Sequence, residues 1–196
     1  MTIRRNRDRI RRSGLEDMLS RYTISAWESK EPWQKKAAEL ARRFVECAKG
    51  WLLASGSPGT GKTHLCTAIC GGLIKKGIET RYVLWRDMSV QAKAMVNDQE
   101  DYQNLVEPLK RVRCLYIDDL FKAGNGQGPT TGDLNLAFEI LNSRYNDSRK
   151  ITLISSELDI ERLLSVDEAV GSRIYERSKG FYLCFNGKKN WRLANG

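Results

Sequence analysis

The sequence predicts an α/β fold in which a five-stranded parallel sheet carries helices on both faces and takes its ligand at the carboxyl ends of the strands. Three observations predict it. Short β-rich apolar runs alternate with longer stretches whose apolar residues recur at helical spacing, as in a parallel sheet joined by helical crossovers. A glycine-rich stretch, Gly56-Ser57-Pro58-Gly59-Thr60-Gly61-Lys62-Thr63, joins the first such run to a helical segment. A later run, Cys114-Leu115-Tyr116-Ile117, ends in the two carboxylates Asp118-Asp119.

Composition sets the outer limits. With 196 residues, 41% of them hydrophobic, the chain can bury one core and so forms one domain with short extensions. No apolar run approaches the roughly 20 residues that span a bilayer. The arginines near the N-terminus are not followed by the apolar stretch of a secretory signal, so a cytoplasmic protein is expected, with no membrane contact. The five cysteines, Cys47, Cys66, Cys70, Cys114 and Cys184, show no C-x-x-C pairing and are expected to be reduced core residues rather than zinc ligands. A net charge of +9 points weakly to a polyanionic partner.

The elements follow in order. Residues 4–12 are a run of arginines with too few apolar residues to fold alone, which predicts a basic arm or linker over 1–20 and the folded domain over 21–196. Leu15, Met18, Leu19 and Tyr22 suggest one amphipathic helical patch, and Trp27 and Trp33 read as packing anchors. Ala37, Leu40, Ala41, Phe44 and Cys47 mark a helix that packs on the sheet just before the glycine-rich loop.

The first strand is Trp51-Leu52-Leu53-Ala54, and Leu65, Ala68, Ile69, Gly72 and Leu73 mark the helix after the loop, which stops at Gly77. Strand, loop and helix give the G-x-x-x-x-G-K-[ST] motif its required setting. The glycines let successive N–H groups turn inward around phosphates, and the helix N-terminus adds partial positive charge. Lys62 is expected to reach the β- and γ-phosphate oxygens, and Thr63 to bind Mg²⁺.

Thr80-Arg81-Tyr82-Val83-Leu84-Trp85 predicts the second strand, followed by helices over about 87–97 and 100–111, the second interrupted or bent near Pro108. The third strand runs into acid, the form of a Walker B motif: Asp118 would hold Mg²⁺ through water and Asp119 would orient or activate the attacking water. Residues 122–132 are glycine-rich and aperiodic, predicting a mobile loop, and the helix after it is expected to be capped near Thr131 or Asp133. The fourth strand, Ile151-Thr152-Leu153-Ile154-Ser155-Ser156, has a polar tip where Ser155, Ser156 and Glu157 are candidates to face a γ-phosphate. A short helix over 158–164, another over 167–178 carrying Arg173 and Arg177 on one face, and a fifth strand over 181–185 complete the pattern.

Together these motifs resemble the AAA+ core of the P-loop NTPases. Gly59-Thr60-Gly61-Lys62-Thr63-His64-Leu65, Leu115 to Leu120, Ile154-Ser155-Ser156-Glu157-Leu158 and Gly171-Ser172-Arg173-Ile174-Tyr175-Glu176-Arg177 resemble the DnaC/DnaI-type helicase loaders, above all those carried by phages and prophages of Gram-positive bacteria. The resemblance runs from about residue 13 to the end. It implies an ATPase that uses Mg²⁺, self-associates through its ATP interface and helps place a DnaB-type replicative ring helicase on single-stranded DNA. It assigns Gly56 to His64 to the nucleotide, Ser156 to the sensor role, and Arg173 or Arg177 to a trans-acting arginine that stabilises transition-state charge. Tyr22 and Ile24 would flank the adenine.

The chain departs from the pattern in three places. Asp119 stands where many AAA+ proteins have Glu, which predicts slow hydrolysis. Glu157 stands where many relatives have Asn, which makes Ser156 the safer sensor candidate. The sequence stops soon after the fifth strand, with no C-terminal helical lid, as loaders of this type commonly do, and only the arginine-rich arm stands where relatives often carry a helicase-binding domain. DNA contact is expected from Arg81, Arg86, Lys93, Lys110, Arg111 and Arg113, with Tyr82, Trp85 and Tyr102 as possible stacking faces. Competing readings are a transposition helper ATPase of the same fold, a small-molecule kinase built on the same phosphate loop, and a nucleotide-gated binding module with negligible turnover.

Overall fold

A computed structural model describes residues 2–122 and 128–191. The chain opens on helix α1 (Thr2–Ser13) and a short turn of helix α2 (Glu16–Leu19), then the long helix α3 (Pro32–Cys47). Strand β1 (Trp51–Ser55) leads into α4 (Lys62–Lys75), and β2 (Thr80–Leu84) into α5 (Trp85–Ala94) and α6 (Gln99–Arg111). Then come β3 (Cys114–Asp118), α7 (Thr131–Tyr145), β4 (Ile151–Ser156), α8 (Ile160–Val166), α9 (Glu168–Arg177) and β5 (Tyr182–Cys184). The expected loop over 122–132 falls partly outside the described residues.

The five strands form one sheet in the order β2-β3-β4-β1-β5, every pairing parallel. Because β4 lies between β1 and β3, the two motif-bearing strand ends are held one strand apart. Alternation sorts the side chains. Leu52, Ala54, Tyr116 and Leu153 pack under α3 and α4, whereas Trp51, Leu53, Leu115, Ile117 and Ile154 meet α5, α6, α7 and α9 on the other face. Nearly all are fully buried. Each leucine and isoleucine among them contributes about 1.5–3 kcal/mol through removal from water, which helps hold the two helical layers on.

Helix ends follow local chemistry. Pro32 opens α3 behind a capping box made by Glu31 and Gln34, and Ala48 ends it in the left-handed conformation at φ 46. Thr130, one residue ahead of the expected caps, is the N-cap of α7, with Asp133 completing a reciprocal capping box.

Four expectations are corrected. The arginine-rich run, expected as a basic arm or linker, is helical and packed: α1 lies against β2 and α4, and its end is fixed by the buried Ser13 and Leu15. That tertiary anchor, invisible in a charge count, supplies what the run itself lacks. Trp85 is not the end of a strand but the buried first residue of α5. Pro108 sits inside α6 without interrupting it, the helix continuing to Arg111. Of the cysteines, Cys66, Cys70 and Cys114 are buried, while Cys47 and Cys184 are exposed, one in the last turn of α3 and one on the edge strand β5.

Candidate active site

The strand tips are stitched together by main-chain and hydroxyl hydrogen bonds. Gly56 N–H donates to Ser156 O at 3.1 Å and Leu120 N–H to Ser155 O at 2.8 Å, so the ends of β1, β3 and β4 form one continuous shelf. The glycine-rich loop rises from it. Gly56, Gly59 and Gly61 have φ of 117°, 74° and 95°, values that favour glycine. A Cβ on Gly61 would lie 2.8 Å from the Trp27 ring, so that position also needs glycine for space.

Lys62 is almost fully buried and folds its ammonium back on its own loop, donating to Gly56 O at 2.7 Å and Ser57 O at 2.8 Å. Burial lowers its pKa from the ordinary lysine value, against the opposing pull of Asp119, Glu157 and Asp118. Its neighbour Thr63 donates to Asp118 Oδ1 at 3.2 Å. The same carboxylate accepts from Tyr116 Oη at 2.6 Å, from Ser155 Oγ, and, at Oδ2, from Tyr82 Oη at 3.3 Å. Burial raises the pKa of both tyrosines and the charge of Asp118 adds to it, which keeps them protonated as donors.

A magnesium ion held mainly by phosphate oxygens and water needs only one or two protein oxygens. Thr63 and Asp118, already within hydrogen-bond distance of each other, fit that requirement. Among the described residues no cluster of three or more His, Cys, Asp or Glu could hold a metal by itself. Such an ion, when bound, would offset phosphate charge. The residues' own contribution is to hold the two oxygens in place on separate elements.

Asp119 lies just past β3 in the left-handed region at φ 55°, with its N–H donated to Ser155 Oγ at 2.9 Å. Its carboxylate pairs with Lys122 at 3.0 Å, and Lys122 pairs in turn with Glu157 at 2.7 Å. Asp119, Lys122, Glu157, the loop residues Pro58 to His64, and Tyr22, Ala26, Trp27, Glu28, Gln34 and Trp191 line one cleft of about 330 Å³. Its far wall is aromatic. The Trp27 indole N–H is satisfied by Gln34 O at 3.0 Å, and His64 is held between Tyr22 and Trp27 with Nε2 at 2.9 Å from Thr23 O. Tyr22 and Trp27 line the cleft, whereas Ile24 is not among the lining residues. After β5 the chain returns across the loop, where Trp191 N–H donates to Gly59 O at 3.0 Å.

Two sets of expected residues lie elsewhere. The Ser156 hydroxyl is fully buried, donating to Leu120 O at 2.8 Å and accepting Leu158 N–H at 3.1 Å; it braces the turns, and Glu157 is the residue of the β4 tip that lines the cleft. Arg173 and Arg177 lie on α9 outside this cleft. Arg173 donates to Asn142 Oδ1 at 3.1 Å and Ala169 O at 2.8 Å, and it sits over the rings of Phe138 and Tyr145; Arg177 sits over Tyr145. Lys122 was not singled out by the sequence, although its place three residues after Asp119, beyond a carboxylate pair, is the signal that could have found it.

Three of the six cations expected to meet DNA are held in ion pairs. Lys93 pairs with Asp133, Lys110 with Glu107 and Glu139, and Arg111 with Glu107. Tyr82 is tied to Asp118, Trp85 is core, and Tyr102 donates to Glu139 at 2.5 Å, so none of the three is an open stacking face. Arg86 and Arg113 are exposed.

The family model described as IstB-like ATP binding protein matches residues 3–177. The chain belongs to that family. This IstB-like chain is 35% identical over 170 residues to the phage-like element PBSX protein XkdC of Bacillus subtilis (strain 168), covering 82% of the chain and 62% of XkdC. It is 30% identical over 113 residues to the replicative helicase loader DnaC of Escherichia coli (strain K12), covering 56% of the chain and 46% of DnaC. The IstB-like chain thus spans only part of the length of these relatives. In fold it is similar to the crystal structure of the DnaC helicase loader, with a TM-score of 0.72 at 24% identity, over 85% of this chain and 98% of that one. The fold is therefore that of the AAA+ P-loop domains, as the sequence motifs implied. Among the described residues no helix is long and apolar enough to cross a membrane.

Proposed function

We propose that this chain is an ATP-hydrolysing helicase loader, a cytoplasmic protein that helps place a DnaB-type ring helicase on single-stranded DNA. The observation that carries the reading is the incompleteness of the cleft. It gathers the phosphate-loop residues Pro58 to Thr63 with Asp119, and Thr63 is bonded to Asp118, yet the only arginines the motifs offer for the terminal phosphate, Arg173 and Arg177, lie outside it on α9. A second subunit set beside the first would bring one of them in.

In this reading the loop N–H groups and Lys62 hold the phosphates, Thr63 and Asp118 hold Mg²⁺, and Asp119 orients the attacking water. For Lys62 to do so it must leave the carbonyls of Gly56 and Ser57, and for Asp119 to do so it must be released by Lys122. Asp119 is shorter than glutamate and starts in an ion pair, so turnover is slow until the neighbouring subunit docks. Arg86 and Arg113, exposed and in no ion pair among the described residues, are the first candidates for a DNA backbone.

The test is ATP turnover per subunit across a range of protein concentrations, with and without single-stranded DNA. Specific activity that climbs with concentration and responds to DNA supports the loader reading. Flat, DNA-indifferent turnover overturns it in favour of a self-contained phosphoryl-transfer enzyme. The family match keeps a second reading in view, a transposition helper; stronger binding to duplex than to single-stranded DNA, with no binding to a ring helicase, would favour it.

A further inference from the structure

Two acidic side chains, Asp119 and Glu157, stand at the end of the cleft where a terminal phosphate must sit, and Glu157 has no counterpart in the chemistry assigned so far. A carboxylate beside a polyphosphate repels it, and the repulsion is strong where water is partly excluded. Lys122 is the cation between them, 3.0 Å from Asp119 and 2.7 Å from Glu157. Lys62 is committed to its own loop carbonyls, so among the described lysines lining the cleft Lys122 alone pairs with these acids.

The backbone is built to put Lys122 there. Asp119 and Phe121 both adopt left-handed conformations, at φ 55° and 63°, which side-chain-bearing residues avoid. The turn is held by four independent contacts. Leu120 N–H donates to Ser155 O, Ser156 Oγ donates to Leu120 O, Lys122 N–H donates to Asp119 O, and Phe121 is buried edge-on to Trp85 at 5.6 Å. An ordinary exposed salt bridge needs no such turn. The two bends fold the chain back over the sheet so that the Lys122 ammonium reaches the tip of β4 from the end of β3.

We propose that Lys122 is the residue that makes the cleft prefer a nucleoside triphosphate to a diphosphate: it neutralises Glu157 and Asp119 in the empty cleft and turns to the terminal phosphate when a triphosphate enters. This rests on the nucleotide-binding reading of the cleft. The exchange also releases Asp119, so arrival of the terminal phosphate and freeing of the water-orienting carboxylate become one event. A diphosphate leaves the triad closed. Hydrogen bonds to Glu157 and Asp119 hold the Lys122 pKa above its ordinary value in spite of burial, so the ammonium is charged throughout the neutral range.

The experiment measures dissociation constants of a non-hydrolysable ATP analogue and of ADP, both with Mg²⁺, for the full chain and for Lys122→Met, Lys122→Arg, Glu157→Gln and the Lys122→Met/Glu157→Gln double variant. Thermal unfolding of each is followed in parallel. Lys122→Met is expected to weaken the triphosphate roughly tenfold or more while moving ADP less than about threefold. Lys122→Arg keeps the preference, and adding Glu157→Gln to Lys122→Met recovers part of the lost triphosphate affinity because the uncompensated carboxylate is gone. Equal weakening of both nucleotides, or no change in either, overturns the role of Lys122. Failure of the unmodified chain to bind either nucleotide overturns the nucleotide-binding reading itself, and the proposal with it.

Discussion

Ser155 and Asp119 are joined by a single hydroxyl: Ser155 Oγ accepts the Asp119 N–H at 2.9 Å and spends its own proton on Asp118 Oδ1. One side chain on β4 therefore orients both acids at the end of β3. Because the main-chain N–H can only donate, the direction of both bonds is fixed.

Ser155→Ala is expected to strand the Asp119 N–H and remove one donor from Asp118, costing about 1–3 kcal/mol of stability. ATP turnover should fall roughly tenfold or more while ATP affinity changes by less than about threefold, since the loop that grips the phosphates is untouched. Chemical denaturation and paired turnover and binding measurements check this. A loss of affinity equal to the loss of turnover would place Ser155 in nucleotide binding instead.

If Arg173 or Arg177 acts on a neighbour's nucleotide, its alanine variant binds ATP normally but loses turnover by a factor of about 10³ or more. Mixing that variant with a Lys62→Ala chain, which cannot hold nucleotide, should restore part of the activity by supplying an intact arginine to an intact phosphate loop. No recovery in either mixture, with both chains folded and associating, rules the arrangement out.

Arg144 is fully buried, and among the described residues its hydrogen bonds run to the Thr152 hydroxyl and to the carbonyls of Leu109, Lys110, Val112 and Ile151. Burial lowers its pKa to about 10, still high enough to leave it charged at neutral pH. It ties the end of α6 to the start of β4, and Arg144→Met should strand those carbonyls at a cost of about 3 kcal/mol or more. Arg144→Lys recovers little of this, because an ammonium cannot reproduce the planar fork. Urea unfolding of the two variants measures the difference.

Asp133 links the start of α7 to α5, accepting from Thr130 and pairing with Lys93 at 2.9 Å. Burial raises its pKa, but the Thr130 and Lys93 interactions outweigh it and the net shift is downward. A depressed carboxyl stabilises the fold above the unfolded value of about 3.9 and loses that contribution as pH falls toward the folded value. Asp133→Asn should therefore cost about 1 kcal/mol near pH 7, and the gap to the unmodified chain should close below about pH 4. A gap that persists in acid would assign the effect to capping geometry rather than charge.

The five strands were legible because each is a short apolar run bounded by polar residues, and the phosphate loop because its glycine positions are set by backbone conformation. The site was less so. Asp119 and Phe121 carry no sign of their left-handed backbone, since residues with side chains adopt it only where surrounding contacts impose it. Without that turn, Lys122 reads as the first residue of a loop and Ser156 as the natural occupant of the β4 tip. Arg144, in the last turn of α7, carries no signal in the sequence; only its hydrogen bonds to the end of α6 and the start of β4 make it a buried pin. The arginines of α1 hid a helix for the converse reason, because what fixes it is Leu15 and Ser13 beyond the charged run.

The position of β4 has a metrical consequence. Adjacent strands lie about 4.8 Å apart, so the mouth of β1 and the mouth of β3 are separated by roughly 9.6 Å. This interval is written in peptide hydrogen bonds, not in side chains. The β4 interior can exchange one apolar residue for another of like size without altering the gauge, whereas a bulge or a slipped register in that one strand would change the spacing between phosphate loop and acid pair without touching either.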